Sequence, residues 1–487
     1  MRKFKLFGAA LAIAAMAAPS VLAEESNLVF RGVMQDWYTY DKNNDTGKTE
    51  WHQVSPGYVD PNTGKVFSNQ GLFEVALDPT SAKADKFVGM DFVFRHNVCY
   101  GNAGSVFTGN ALYTFFFHET QESQESTEYV DESQYEILVR KWNIATATYE
   151  TVGKLANSAT DLTYDPVNDK VYGIFRIHEG EAGEEDYWYE LCELDMNTFQ
   201  VRQISHCQFD YFYEPRAIAI NSKGEIYGIN QRGIVMKFDK ETGDCKEIGN
   251  IGFRTQDKMM SAAFDWRTDK LYWLGYKNDG KKDPAVTDGT NNTLTIAEGG
   301  RDTGLFEINT ETGVATLLSN CEQVNIDIEA AKITKFGKIC LTGLWVEGGY
   351  EFKDNDLKID ILSVPTELKA GEQVNVKFRV KNLGKASIGE DDWSVALYEG
   401  EKAVGKKSGR DLEPGETRDV TFQYTAPAEA GKVSLSAAII CEKDEEVRNN
   451  ATSAITVNVT GGVAGDVNGD GTVNASDITA LINLILG

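Results

Sequence analysis

Short runs of alternating apolar and polar residues recur along this chain. Val374, Val376, Phe378 and Val380 alternate, as do Val420, Phe422 and Tyr424, then Val433, Leu435, Ala437 and Ile439, then Ile455, Val457 and Val459. A period of two over short runs, broken by Gly, Pro and Asn, predicts strands with one buried face. From about residue 356 these strands read as a β-sandwich. The helical period marks the C-terminus, where Ile478, Leu481, Ile482 and Ile485 recur at i, i+3, i+4 and i+7.

Before residue 353 the dominant signal is repetition. "YVDPNTGKVFSN", "TYDPVNDKVYGI", "AINSKGEIYGI" and "FDWRTDKLYWL" each read as a strand, a tight polar turn and a strand with an aromatic in it. "GNALYTFFF" and "KFGKICLTG" keep the second strand, so Phe67, Tyr113, Tyr172, Tyr227, Tyr272 and Cys340 mark six units. A second strand-turn-strand element follows the first five, its turn opened by Asp78, Asn143, Asp195, Asp239 or Asn309. Four-stranded meanders repeated in this way predict a β-propeller; a β-sandwich or an open meander is the competing reading. The sixth unit lacks its second half, and "DWYTYDKNNDTGKTEWHQV" at residues 36–54 supplies an N-terminal hairpin to complete it. Such closure leaves no exposed sheet edge. The expectation is a mainly β protein: a six-bladed propeller over residues 24–352, a sandwich over 353–459, a linker at 460–464 and a loop-helix over 465–487. By pattern, the repeats loosely resemble secreted six-bladed propellers of the NHL or quinoprotein type.

The closing stretch, "GDVNGDGTVNASDITALINLILG", carries the clearest chemistry. A calcium loop takes oxygen ligands from positions 1, 3, 5, 7, 9 and 12, with glycine at 6. Counting from Asp466 places Asn468, Asp470, Thr472, Asn474 and Asp477 at the ligand positions and Gly471 at the turn. The competing reading is a polar turn capping a short helix. The stretch resembles one repeat of a type I dockerin, in which aspartate at position 12 is typical. A complete dockerin has two repeats; here there is one, and apolar residues replace the Lys-Arg pair often found in the helix. The resemblance therefore implies calcium more directly than it implies docking on a cohesin. The apolar helix face needs a partner, either a cohesin-like protein or another part of the chain. In the sandwich, the "V-x-N-x-G" piece, "LEPGET" and "EEVRNNAT" together resemble CARDB-type immunoglobulin-like domains of bacterial surface proteins, which implies a spacer or adhesion module.

Residues 1–23 read as a secretory signal: Arg2, Lys3 and Lys5 precede an apolar run from Leu6 to Ala17, and Val21-Leu22-Ala23 fits a cleavage site. No other stretch is long and apolar enough to span a bilayer, so the expectation is a secreted or cell-surface protein. The 48 basic and 74 acidic residues leave a formal charge of −26, which disfavours nucleic acid and anionic membranes. Seven scattered cysteines show no C-x-x-C, so a metal framework is not expected, and most read as small buried residues.

Length variation concentrates where a propeller presents one face: residues 119–134, 177–186 and 277–301, whereas the fourth blade has only "NQRG". Loops on a rigid ring are where ligand sites belong. The interblade segments "SHCQFDYFYEPR" and "GNIGFRTQDK" nominate Tyr211, Tyr213, Arg216 and Arg254 as a ligand surface, with packing between blades as the alternative use of these aromatics. No HExxH pair or G-x-S-x-G elbow is present, and His178 beside Glu179 and Glu181 is the nearest thing to a cluster. No catalytic residue is identified. Two functions compete: a binding protein whose propeller takes a polysaccharide or surface protein, with the calcium module docking or capping, and a secreted hydrolase or lyase acting on glycans at the same face.

Overall fold

The structure, a computed structural model, describes residues 27–42, 49–53, 58–59, 66–67, 71–81, 86–95, 102–119, 135–178, 187–204, 208–210, 213–253, 255, 260–276, 282–287, 293–295, 303–320, 338–461, 467 and 473–486. Five antiparallel sheets build the propeller. From the axis outward, blade 1 is Lys338–Val346, Leu28–Lys42, Gly71–Leu77 and Phe87–Arg95. Blade 2 is Asn102–Phe107, Leu112–Glu119, Tyr135–Asn143 and Thr148–Leu155. Blade 3 is Ala159–Asp165, Lys170–His178, Tyr187–Leu194 and Val201–Gln203. Blade 4 is Pro215–Ile220, Ile226–Asn230, Ile234–Phe238 and Cys245–Asn250; blade 5 is Ser261–Asp265, Lys270–Tyr276, Thr303–Ile308 and Ala315–Asn320. The innermost strands touch in the cyclic order of blades 1 to 5, which closes the ring.

The propeller is as the repeat implies, but the described strands form five blades where the motif count gave six. Units one and six share one blade. Cys340 lies in an innermost strand, not a second one, and its neighbour is the N-terminal strand: Trp37 pairs with Ile339 and Met34 with Leu341. On its other edge that N-terminal strand takes Gly71–Leu77, the expected second half of unit one. "YVDPNTGKVFSN" contributes no blade strand. Its Tyr58–Val59 and Val66–Phe67 pair with each other, between two strands, Thr49–Gln53 and Gly71–Leu77, that pair with successive parts of Leu28–Lys42. N- and C-terminal strands thus close the ring in the expected way, with one blade fewer.

The turns form because their first residue caps them. The carboxylate of Asp239 accepts the N–H groups of Glu241 and Thr242 at 2.8 and 3.1 Å; Asp195 and Asn309 do the same in their blades. The Thr242 and Glu241 N–H groups hold Asp239 below the usual carboxylate range. At the turns joining first and second strands, Asp169, Asp269 and Gly224 occupy equivalent places with φ of 49°, 56° and 76°, a region reached without strain by glycine and tolerated by aspartate.

The core lies between blades. Tyr172, Tyr227 and Tyr272, the aromatic of the motif in blades 3 to 5, are all buried. At the axis the packing turns polar. The carboxylate of Asp161 accepts the Ile218 N–H at 3.0 Å, the Ser261 hydroxyl at 2.9 Å and the Gly343 N–H at 3.2 Å, while Ser261 Oγ accepts the Leu344 N–H at 2.9 Å. Ser105 and Thr342 hydroxyls meet at 2.6 Å. These residues are fully buried, so a hydrogen-bonded plug joins all five innermost strands. Burial pushes the Asp161 carboxyl up to about 8, against the Ile218, Ser261 and Gly343 bonds that favour its charge.

The sandwich pairs Leu357–Ser363, Gln373–Asn382 and Thr417–Thr425 in one sheet, and Glu367–Lys369, Ile455–Thr460, Gly431–Cys441, Trp393–Glu399 and Lys402–Ser408 in the other. The alternating residues of the sequence face inward: Val376, Phe378, Val380, Val420, Phe422, Tyr424, Leu435, Ala437, Ile439, Val457 and Val459 are buried in one cluster around Trp393. It sits on the face of the ring formed by the turns between first and second strands. Asn449 Nδ2 donates to the Val167 carbonyl and to Asp356 Oδ1, both at 2.8 Å; Arg448 donates to the Ser222 carbonyl at 2.6 Å; Lys381 meets Asp169 at 2.5 Å. Tyr350 packs edge-on against Trp266, and Phe352 lies against Gly109. Among the described residues, Cys192 and Cys441 are free thiols. No helix among the described residues is long and apolar enough to cross a membrane.

Candidate functional site

With the sandwich on one face of the ring, the segments joining second to third strands and blade to blade fall on the other. Of the nominated residues, Tyr213 and Arg216 belong to that second face, at the junction of blades 3 and 4. Tyr213 is 44% exposed, and the Arg232 guanidinium lies 4.1 Å from its ring centroid. Arg216, at the start of the innermost strand of blade 4, is buried and ion-paired with the buried Glu214. Tyr211 and Arg254 lie outside the described residues.

Blade 3 adds a second cation-aromatic pair: Arg176 lies 3.8 Å from the Tyr187 ring centroid. Tyr189 stands edge-on to Tyr187 at 6.0 Å. Burial pushes its phenol up to about 12, with the Glu214 charge adding to the rise and the Arg216 and Arg176 charges opposing it. Trp188 donates its indole N–H to Glu190 at 2.7 Å. His178 lies 5.9 Å from Tyr187; its neighbours Glu179 and Glu181 are outside the described residues. Arrays of arginine, tyrosine and carboxylate suit a ligand with both ring faces and hydrogen-bonding groups. Among the described residues no group of three His, Cys, Asp or Glu side chains is placed to hold a metal.

Sequence reasoning missed Arg232, Arg176, Tyr187 and the axial Asp161. For Arg232 the signal was present: "NQRG" is the one short turn among the second-to-third strand connections. For Asp161 it was a carboxylate inside a first strand, Ala159–Asp165.

At the C-terminus, helix Ala475–Leu486 follows the loop. Asp477 is 2% exposed, and its two oxygens accept the Val467 and Asn474 N–H groups at 2.8 and 2.7 Å. The position-12 carboxylate therefore ties the two ends of the loop together. Asn474 caps the helix start, accepting the Ser476 N–H at 2.7 Å. Asp466, Asn468, Asp470 and Thr472 lie outside the described residues. Ile478, Leu481, Ile482 and Ile485 are exposed, as are Leu484 and Leu486.

No curated protein matches the chain. Among solved structures, the CARDB domain of a Pyrococcus furiosus protein in complex with di-metal ions shares 23% identity over 23% of this chain and 93% of its own, with a TM-score of 0.20. TolB from Acinetobacter baumannii shares 8% identity over 81% of this chain and 66% of its own, with a TM-score of 0.31. A beta-glucosidase from Listeria innocua in complex with glucose shares 17% over 26% of this chain and 19% of its own, with a TM-score of 0.17. The family matches are to CARDB over residues 354–460 and to the dockerin type I domain over residues 464–487. Dockerin domains occur in extracellular proteins and typically bind a protein partner, the cohesin. This chain is therefore a β-propeller protein that carries, from residue 354 onward, a CARDB domain and then a dockerin type I segment.

Proposed function

We propose that the protein is an exported binding protein of a multidomain extracellular assembly, in which the propeller takes a polysaccharide and the C-terminal segment attaches it. The observation that carries this reading is the placement of the sandwich. It occupies the turn face of the ring through Asn449, Arg448, Lys381 and Phe352, which leaves the opposite face, with its cation-aromatic pairs, for a ligand. Aromatic faces stack on sugar C–H surfaces while arginine and carboxylate groups bind hydroxyls.

The dockerin segment suits calcium because its donor set is all oxygen and its sixth position is glycine. Asp477, held across the loop by the Val467 and Asn474 N–H groups, keeps lone pairs for a cation. Asp466, Asn468, Asp470, Asn474 and the Thr472 carbonyl would complete the set; the ion would neutralise carboxylates crowded in one turn and fix the loop for the helix. The exposed apolar helix then meets a cohesin-like protein.

A glycan array with the full chain, combined with a reducing-sugar assay on the same polysaccharides, tests the reading. Binding without release of reducing ends is expected. Release of reducing ends would make the protein a glycoside hydrolase or a polysaccharide lyase, and absence of glycan binding would remove the polysaccharide.

A further inference from the structure

Blade 4 differs from the other four at the open face. Its second strand, Ile226–Asn230, turns straight into its third, Ile234–Phe238, while every other blade spends a longer segment there. Asn230 builds this turn. It is fully buried, its side-chain oxygen accepts the N–H groups of Arg232 and Ile234, both at 3.0 Å, and its amide nitrogen donates to the Tyr213 carbonyl at 3.3 Å. One side chain thus fixes both the turn and the interblade segment beside it. The stacking of Arg232 on Tyr213 is held from below rather than left to two mobile surface groups.

Many arginines of this acidic chain sit on carboxylates, as Arg31 does on Glu74 and Glu347, Arg202 on Glu193, and Arg379 on Asp419, while Arg140 and Arg176, like Arg232, lie over aromatic rings. Arg232 is exposed, lies on a ring, and has no carboxylate partner among the described residues. Next to it Gln231 is 9% exposed, and its amide nitrogen has no acceptor. The donors open to a ligand at this turn are those of the exposed Arg232 guanidinium. Their complement is an acceptor-only group, and a carboxylate meets a guanidinium edge with two parallel bonds. A guanidinium that lies over a ring face, as Arg232 does over Tyr213, still has N–H groups to donate. The exposed part of Tyr213 offers a contact surface for whatever ring carries the carboxylate.

We infer that Tyr213 and Arg232 form a subsite for a uronate, a sugar ring bearing a carboxylate, within the polysaccharide that the propeller binds. The inference rests on the glycan-binding reading above. The net charge of −26 opposes long polyanions; at physiological ionic strength fields are screened beyond about 8 Å, so the local guanidinium governs a short oligomer.

Calorimetric titration of the full chain with uronate tetramers (galacturonate, glucuronate and mannuronate), a neutral glucose tetramer and an aspartate-rich peptide tests it. The expected result is a uronate tetramer bound more tightly than the neutral one. Arg232→Ala should weaken it about tenfold or more, Arg232→Lys less, and Tyr213→Ala several-fold, with circular dichroism unchanged; added salt should weaken binding. Equal uronate affinity in Arg232→Ala overturns the subsite. Preference for the neutral tetramer overturns it and leaves glycan binding standing. Binding of the peptide alone, or of none of these probes, overturns both.

Discussion

Ser261 and Asp161 stand 100 residues apart in sequence and hydrogen-bond at 2.9 Å on the axis of the ring. The same carboxylate takes N–H groups from blades 4 and 1, so one side chain from blade 3 reaches three other blades. An unpaired buried donor costs about 1–3 kcal/mol. Asp161→Ala strips partners from Ile218, Gly343 and Ser261 together, and the propeller should lose about 3 kcal/mol or more. A thermal or urea unfolding curve on the full chain would show the propeller transition falling while the sandwich transition stays. Coincident, unshifted transitions would mean the plug is not structural.

Two strongly raised carboxyls give the protein a pH dependence of definite sign. Burial pushes Asp161 up to about 8 and Asp356 up to about 7, from an ordinary 3.8. The folded chain therefore binds these protons more tightly than the unfolded chain does. Their stabilising contribution is full below about pH 4, declines as pH rises, and is gone above about pH 8. Thermal midpoints should fall between pH 5 and pH 9. Asp356→Asn keeps an acceptor for the Asn449 amide and removes that group's part of the slope. An unchanged slope in the variant would assign the dependence elsewhere.

The joint between ring and sandwich depends on a few hydrogen bonds. Asn449→Ala removes the bonds to Val167 and Asp356 and should cost about 1–3 kcal/mol. Lys381→Ala releases Asp169. The double variant should show a larger radius of gyration by small-angle scattering, with both domains still folded. No change in scattering would place the main contact in the Tyr350, Phe352 and Trp266 rings.

At the C-terminus, Asp477→Ala breaks the bonds from Val467 and Asn474 as well as the position-12 ligand. Calcium titration of the full chain by calorimetry should give a heat that is lost in this variant and in Asp466→Ala. Asp477→Glu, which reaches bidentate geometry more readily, should retain it. Equal affinity in all forms would reduce the stretch to a polar turn before a helix.

Much of this architecture was legible in the chain because it is local. Alternation set the sandwich strands, and the side chains of Val376, Phe378 and Val380 bury as that period requires. The turn openers Asp195, Asp239 and Asn309 cap their own turns, so their role is written within four residues. The number of blades was not local. A motif such as "KFGKICLTG" specifies a strand but not its place within a blade, and only its pairing with Trp37 and Met34, some 300 residues away, makes it innermost. The axial plug is of the same kind: Asp161 and Ser261 are far apart in sequence and meet only because the blades close around one axis. The Tyr213–Arg232 pair is set within blade 4, where Pro215 pairs with Asn230 and brings the segment before the first strand beside the second-to-third turn. Sequence periodicity determines which face of a strand is buried; ring closure, a property of the whole set of strands, decides which side chains face one another.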